Sequence, residues 1–167
     1  MAESAAPSVV TDEMRAQLGV EGPETTLEVT STGCRLFARA VGHTDPVFYD
    51  RDVARSRGYR DILAPPGFLG SPVYRPGMDD RHSEHATAHG VGVGLRVPYK
   101  RVLNGGTACQ YEEPVCAGDV LTSRSRICDF QEREGSIGPM LIVYRETIYR
   151  RPDGAVVARV RGNAIHY

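Results

Sequence analysis

At 167 residues, 41% hydrophobic and 25% charged, the sequence has the size of one domain and the balance of a globular chain. Its 20 basic and 21 acidic residues are mixed along the chain and give a net charge of -1, so the basic footprint that nucleic-acid backbones require is missing. No apolar run approaches the ~20 residues of a bilayer span, which argues against a membrane partner.

Residues 1–10 are small and polar and read as a frayed tail, with neither the basic start nor the apolar core of a secretory signal. Thr11 is placed to cap a short helix over Asp12–Leu18, which Gly22-Pro23 stops. Leu27-Glu28-Val29 reads as a short strand. Leu36, Phe37, Ala40 and Val41 then fall on one side at helical spacing, and Gly42 stands where a C-terminal cap belongs. After the tight polar segment His43-Thr44-Asp45-Pro46, Asp50 is placed to cap a helix over Arg51–Arg57 that Gly58 ends. Ala64-Pro65-Pro66-Gly67 is a rigid turn, and a helix over Gly67–Tyr74 would be shortened by Pro72 and Pro76.

The stretch Gly77–Gly106 is the least regular, and its glycines predict few buried contacts over Gly77–Gly94. Asn104-Gly105-Gly106 reads as a turn. Beyond it the pattern is β: strands over Thr107–Glu112, Val120–Gln131, Met140–Arg150 and Ala155–His166, the last two joined by the hairpin turn Arg151-Pro152-Asp153-Gly154. Between Arg145 and Arg161 the arginines mostly alternate with apolar residues, as on the solvated face of a strand. Helices first and a meander of antiparallel strands second predict an α+β fold.

Two ordered stretches carry a resemblance. Phe37–Leu69, "FARAVGHTDPVFYDRDVARSRGYRDILAPPGFL", resembles the signature of MaoC-like dehydratases and (R)-specific enoyl-CoA hydratases. "LNGGTACQYEEPVCAGDVL" resembles the same family's strand, Pro-Val turn, Ala-Gly-Asp and strand. The sequence is similar to the N-terminal-type MaoC dehydratase domain, related to the dehydratase region of fungal fatty-acid synthase. The resemblance implies a hot-dog fold, an antiparallel sheet wrapped around a central helix that pairs into a double hot dog. It implies an N-terminal tail and short helix over residues 1-26 and one hot-dog domain over residues 27-167. The acyl chain would enter a tunnel, and the thioester would lie near the interface with the second hot dog.

Moving a proton at the α carbon and water at the β carbon needs two groups converging on one bond. The family sets an Asp and a His on one tight loop, Gly-Asp-x-Asn-Pro-aliphatic-His, while a helix N-terminus or backbone amide polarises the thioester carbonyl. Here Gly42, Pro46 and Val47 match that loop, but His43 stands in place of the Asp, Asp45 of the Asn and Phe48 of the His. A Phe cannot transfer a proton.

Two readings follow. In one, the chain is the substrate-shaping half of a two-hot-dog enzyme, similar to the non-catalytic subunit of mycobacterial hydroxyacyl-ACP dehydratase, and a catalytic MaoC-like subunit supplies the dyad. In the other, His43 and Asp45 are a replacement dyad in a self-sufficient dehydratase, the carboxylate raising the His pKa. Both residues also have plain structural uses, His43 as a helix end and Asp45-Pro46 as a turn opener. The resemblance places the acyl-CoA or acyl-ACP substrate against Gly42, Pro46, Val47, Phe48, Tyr49, Pro65, Pro66, Gly67 and Phe68, in a homodimer or heterodimer.

A hot-dog thioesterase fits less well, because Gly67–Tyr74 offers no carboxylate. His82, His85 and His89 share a helical face with Asp79 one turn earlier, yet the surrounding glycines and prolines make a closed metal site a poor expectation. Cys34, Cys109, Cys116 and Cys128 show neither a Cys-x-x-Cys pair nor zinc spacing. Free thiols, a cytoplasmic location, no metal and no cofactor are the expectations.

Overall fold

Backbone pairing sorts the chain into one five-stranded antiparallel sheet with short helices ahead of it. The computed structural model describes residues 8–70, 95, 97–136 and 138–167. Its elements in chain order are α1 (Asp12–Ala16), β1 (Thr25–Glu28), α2 (Ser31–Ala40), a 3-10 turn (Pro46–Phe48), α3 (Arg51–Ser56) and a second 3-10 turn (Phe68–Gly70). Four long strands follow: β2 (Val102–Tyr111), β3 (Val120–Gly135), β4 (Gly138–Arg150) and β5 (Val156–His166), in the sheet order β1-β3-β4-β5-β2.

The helix ends follow capping chemistry. Thr11 and Asp50 accept bonds from the first-turn amides of α1 and α3 as expected, and Thr30 does the same for α2. Helix α1 stops at Ala16, two residues before its expected end, because Leu18 bridges Ile127 and the Gly19 amide donates to the Ile127 carbonyl at 2.8 Å. Of the helix expected over Gly67–Tyr74, the described part forms a 3-10 turn at Phe68–Gly70; residues 71–94, with His82, His85, His89 and Asp79, lie outside the described residues.

The sheet corrects two strand boundaries. Asn104-Gly105-Gly106 is not a turn but a bulge inside β2, where the register against β5 shifts between Asn104 and Gly106. Strand β3 runs past Gln131 to Gly135 because each added residue finds a partner on β4, Glu132 on Leu141 through Gly135 on Gly138.

Strand alternation gives the sheet two faces. On the concave face, Leu27, Phe68, Leu121, Tyr149 and Val160 anchor one core, and Met14, Ile127, Leu141 and Val143 anchor a second. On the other face Glu146, only 1% exposed, is clasped by Arg126 at 2.6 Å and Arg161 at 2.9 Å. Burial alone would raise the Glu146 pKa, but these hydrogen bonds prevail and hold it below the usual value. The expected solvated arginine face is thus present at Arg159 and Arg161, whereas Arg145 alternates with Val143 and Thr147 on the concave face.

The core also fixes cysteine reactivity. Burial pushes the Cys34 thiol up to about 12, with the equally buried Cys116 adding to the shift, while Cys128 is exposed at the bulge between Ile127 and Asp129. Because the thiolate is the reactive form, DTNB should modify Cys128 readily in the native protein, and Cys34 and Cys116 only upon unfolding. Fast labelling of all of them at neutral pH would contradict this packing.

Candidate functional site

Two loops, 42–50 and 60–70, contain every residue expected to act. The first begins where α2 stops. The His43 amide donates to the Ala38 carbonyl at 2.9 Å and the Gly42 amide to the Arg39 carbonyl at 3.3 Å, with Gly42 at φ +77°. This is the paired closure that a glycine after a helix permits, and it turns the chain sharply into His43-Thr44-Asp45.

Asp45 then caps the Pro46–Phe48 turn, its Oδ1 accepting from the Val47 amide at 3.0 Å. Arg57, at the end of α3, donates from Nη1 to both Asp45 oxygens at 2.8 Å. The Val47 amide first and the Arg57 guanidinium second hold the Asp45 carboxyl below its ordinary pKa. The carboxylate expected to orient His43 is therefore bonded to Val47 and Arg57. The half-buried His43 ring rests on Phe48, with centroids 5.3 Å apart and planes at 43°, and the Tyr49 hydroxyl donates to the His43 carbonyl at 2.5 Å. Phe48 is buried in a small cluster with Ala38, Val47 and Ala54. No hydrogen bond joins His43 to Asp45 among the described residues.

The second loop is seated by the Ala117-Gly118-Asp119 turn. The Ala64 amide donates to the Val115 carbonyl and the Ala117 amide to the Ile62 carbonyl, both at 2.8 Å. Asp119, 6% exposed, accepts from the Cys116 amide at 2.9 Å and from Arg60 at 2.8 and 2.9 Å. The loop then closes as a type II turn: Pro66 precedes Gly67 at φ +86°, and the Phe68 amide donates to the Pro65 carbonyl at 3.0 Å. Pro65 and Phe68 are buried and Pro66 is exposed. The Phe68 ring meets Phe37 edge-on, with centroids 5.8 Å apart. The Leu63 amide, donating to the Val47 carbonyl at 3.2 Å, ties the two loops together.

Beneath this turn lie two groups that the sequence did not single out. Burial pushes the Tyr111 hydroxyl up to about 12 and the neighbouring Cys109 thiol upward, while the nearby Gly67 amide favours both anions. Tyr111 Oη is buried and makes no hydrogen bond. Tyr149 Oη, by contrast, donates to the Leu69 carbonyl at 2.8 Å. The site thus has an apolar wall, a glycine turn with its amides, the buried Tyr111 hydroxyl and the half-buried Cys109 thiol. It contains no juxtaposed acid–base pair among the described residues, and no group of three or more His, Cys, Asp or Glu side chains there is placed to hold a metal.

Known proteins share this architecture. Residues 16–160 match the family model described as FAS1-like, dehydratase domain region. A UPF0336 protein of Streptomyces griseus subsp. griseus is 36% identical over 105 residues, covering 63% of this chain; the match spans 64% of that relative's length. Among solved structures, a MaoC-like dehydratase superposes with a TM-score of 0.72 at 18% identity, covering 91% of this chain and 42% of that one. The C-terminally truncated HadBC (3R-hydroxyacyl-ACP dehydratase) complex of Mycobacterium tuberculosis gives a TM-score of 0.65 at 23% identity, covering 89% of this chain and 98% of that one.

Proposed function

The chain belongs to the FAS1-like dehydratase-region family of hot-dog dehydratases and hydratases, and from that premise we propose that it is the substrate-binding half of a two-hot-dog enzyme. It holds a 3-hydroxyacyl or 2-enoyl thioester of CoA or acyl carrier protein, and a catalytic MaoC-like subunit provides the Asp and His. The observation that carries this reading is the engagement of the motif loop. Phe48, at the expected His position, is packed into the Ala38–Ala54 cluster, and Asp45 is bonded to Arg57 and Val47. A general acid or base must be free to reach the proton it moves. The alternative, a self-sufficient dehydratase using His43 and Asp45, lacks the carboxylate–imidazole contact that would charge the ring.

The retained parts are those that bind. Gly42, Pro46, Val47 and Tyr49 shape the first loop, and Pro65, Pro66, Gly67 and Phe68 present a glycine turn over a buried wall. Titrating the purified chain with octanoyl-CoA tests this directly: saturable binding well above that of CoA alone is expected. Indistinguishable titrations with the two ligands would count against an acyl site.

The partner reading rests on an edge. Among the described residues, strand β2 ends the sheet with eight of its ten residues exposed, Val102 by 41% and Leu103 by 51%. A long edge with apolar side chains and unpaired backbone groups favours a mate. Light scattering at micromolar concentration should therefore give a particle of at least twice the 18.3 kDa chain. A persistent 18.3 kDa monomer would overturn the expectation that this edge pairs.

A further inference from the structure

Among the described residues, one charge on the concave face has no counter-ion. Strand β4 points Leu141, Val143, Arg145, Thr147 and Tyr149 inward, and all but Arg145 and Thr147 are buried core residues. Arg145 is half-buried, its Nε is shielded from solvent without a hydrogen-bond partner, and burial lowers its pKa with no carboxylate acting to restore it. Arg57, Arg60, Arg126, Arg151 and Arg161 each face a carboxylate within 4.0 Å. Shielding a guanidinium nitrogen from water without a hydrogen-bond partner is costly. Such a cost is tolerated where a ligand supplies the missing charge.

The surroundings suit a ligand. In register, Arg145 lies between Ile127 on β3 and Gly162 on β5, and Gly162 in turn faces Thr107 on β2. A Cβ built on Gly162 would make only ordinary contacts, with the Gly106 carbonyl and the Thr107 hydroxyl, and the glycine leaves that neighbouring position without a side chain. Thr107 is next to Gly70 at the end of the Pro65–Gly70 segment, about two strand spacings (~10 Å) from Arg145. Two more orphaned buried groups face the same side, Tyr111 Oη toward the glycine turn and His166 Nε2 toward the opposite end.

We propose that Arg145 is an anion-recognition residue on the concave face, and that the acyl group held there carries a carboxylate distal to its thioester. This rests on the acyl-thioester reading above. It narrows the substrate class from plain fatty acyl thioesters to acid-bearing ones, because a hydrocarbon tail would leave the shielded Arg145 Nε without a partner.

The test is a titration of the full chain and of Arg145→Met with suberyl-CoA, octanoyl-CoA and CoA. Wild-type protein should bind suberyl-CoA at least about tenfold more tightly than octanoyl-CoA, the effect of one charge-assisted contact. Arg145→Met should lose that preference while binding CoA unchanged and melting about 3 °C or more above wild type, since an unpaired charge has been removed. Equal wild-type affinity for the two thioesters would overturn the proposal and leave the acyl-thioester reading standing. So would a preference that survives Arg145→Met, or a loss of affinity for CoA itself, which would assign the anion to a CoA phosphate. If neither thioester binds, both readings fall. Should Arg145→Met not fold, the wild-type comparison and Arg145→Lys decide, the latter retaining part of the preference.

Discussion

Phe68→Ala is expected to lower the free energy of unfolding by about 3–5 kcal/mol, the range for truncating a buried Phe to Ala. Phe68 is 2% exposed and is the largest fully buried side chain among the described residues. It joins three parts of the fold: the Phe37 ring of α2, the glycine turn it terminates and the core formed by Leu121, Tyr149 and Val160. The void cannot collapse easily, because Tyr149 bonds the Leu69 carbonyl and Gly67 is set by its positive φ. Urea unfolding at fixed protein concentration measures the change, since any dimerisation would otherwise shift the midpoint. A loss below about 1 kcal/mol, less than a typical Ile→Val trim can cost, would mean that this turn is not packed as described.

The local rules of the sequence located most elements. Thr11, Asp50 and Gly42 marked their helix ends because capping depends on residues a few positions apart. The Arg151-Pro152-Asp153-Gly154 hairpin likewise closes on itself, with the Ala155 amide donating to Asp153 at 2.9 Å and Gly154 at φ +88°. The two family stretches then identified the hot dog itself, which the match over residues 16–160 and the superposed structures support.

What the sequence hid depends on partners distant along the chain. Asn104-Gly105-Gly106 has turn chemistry, but β5 lies alongside it, and pairing turns the glycines into a bulge. Asp45 and His43 are near neighbours in sequence, yet the carboxylate goes to Arg57, twelve positions away and one helix later. Asp119 likewise reaches Arg60 across fifty-nine positions. The arginine run around β4 and β5 looked uniformly solvated because alternation alone does not say which face is the core. Only the register, Arg145 beside Ile127 and Gly162, puts one of them inside.

Either this chain or its partner supplies the proton chemistry. If His43 and Asp45 are structural, His43→Ala should leave turnover of the assembled enzyme within about twofold, because the ring contacts Phe48 rather than a carboxylate. Asp45→Asn should weaken the Arg57 clasp on an exposed pair, a modest effect on stability and a small one on rate. If instead they form a dyad, each change should cost roughly a hundredfold or more, as removing a positioned acid or base does.

The most direct measurement is hydration of crotonyl-CoA and longer 2-enoyl-CoAs by the purified chain, alone and with a MaoC-like subunit carrying the full Gly-Asp-x-Asn-Pro-x-His pattern. No turnover above background is expected for the chain alone, and a rise of at least about a hundredfold over the partner alone when the two are combined. Turnover by the isolated chain that disappears with His43→Ala would contradict this expectation.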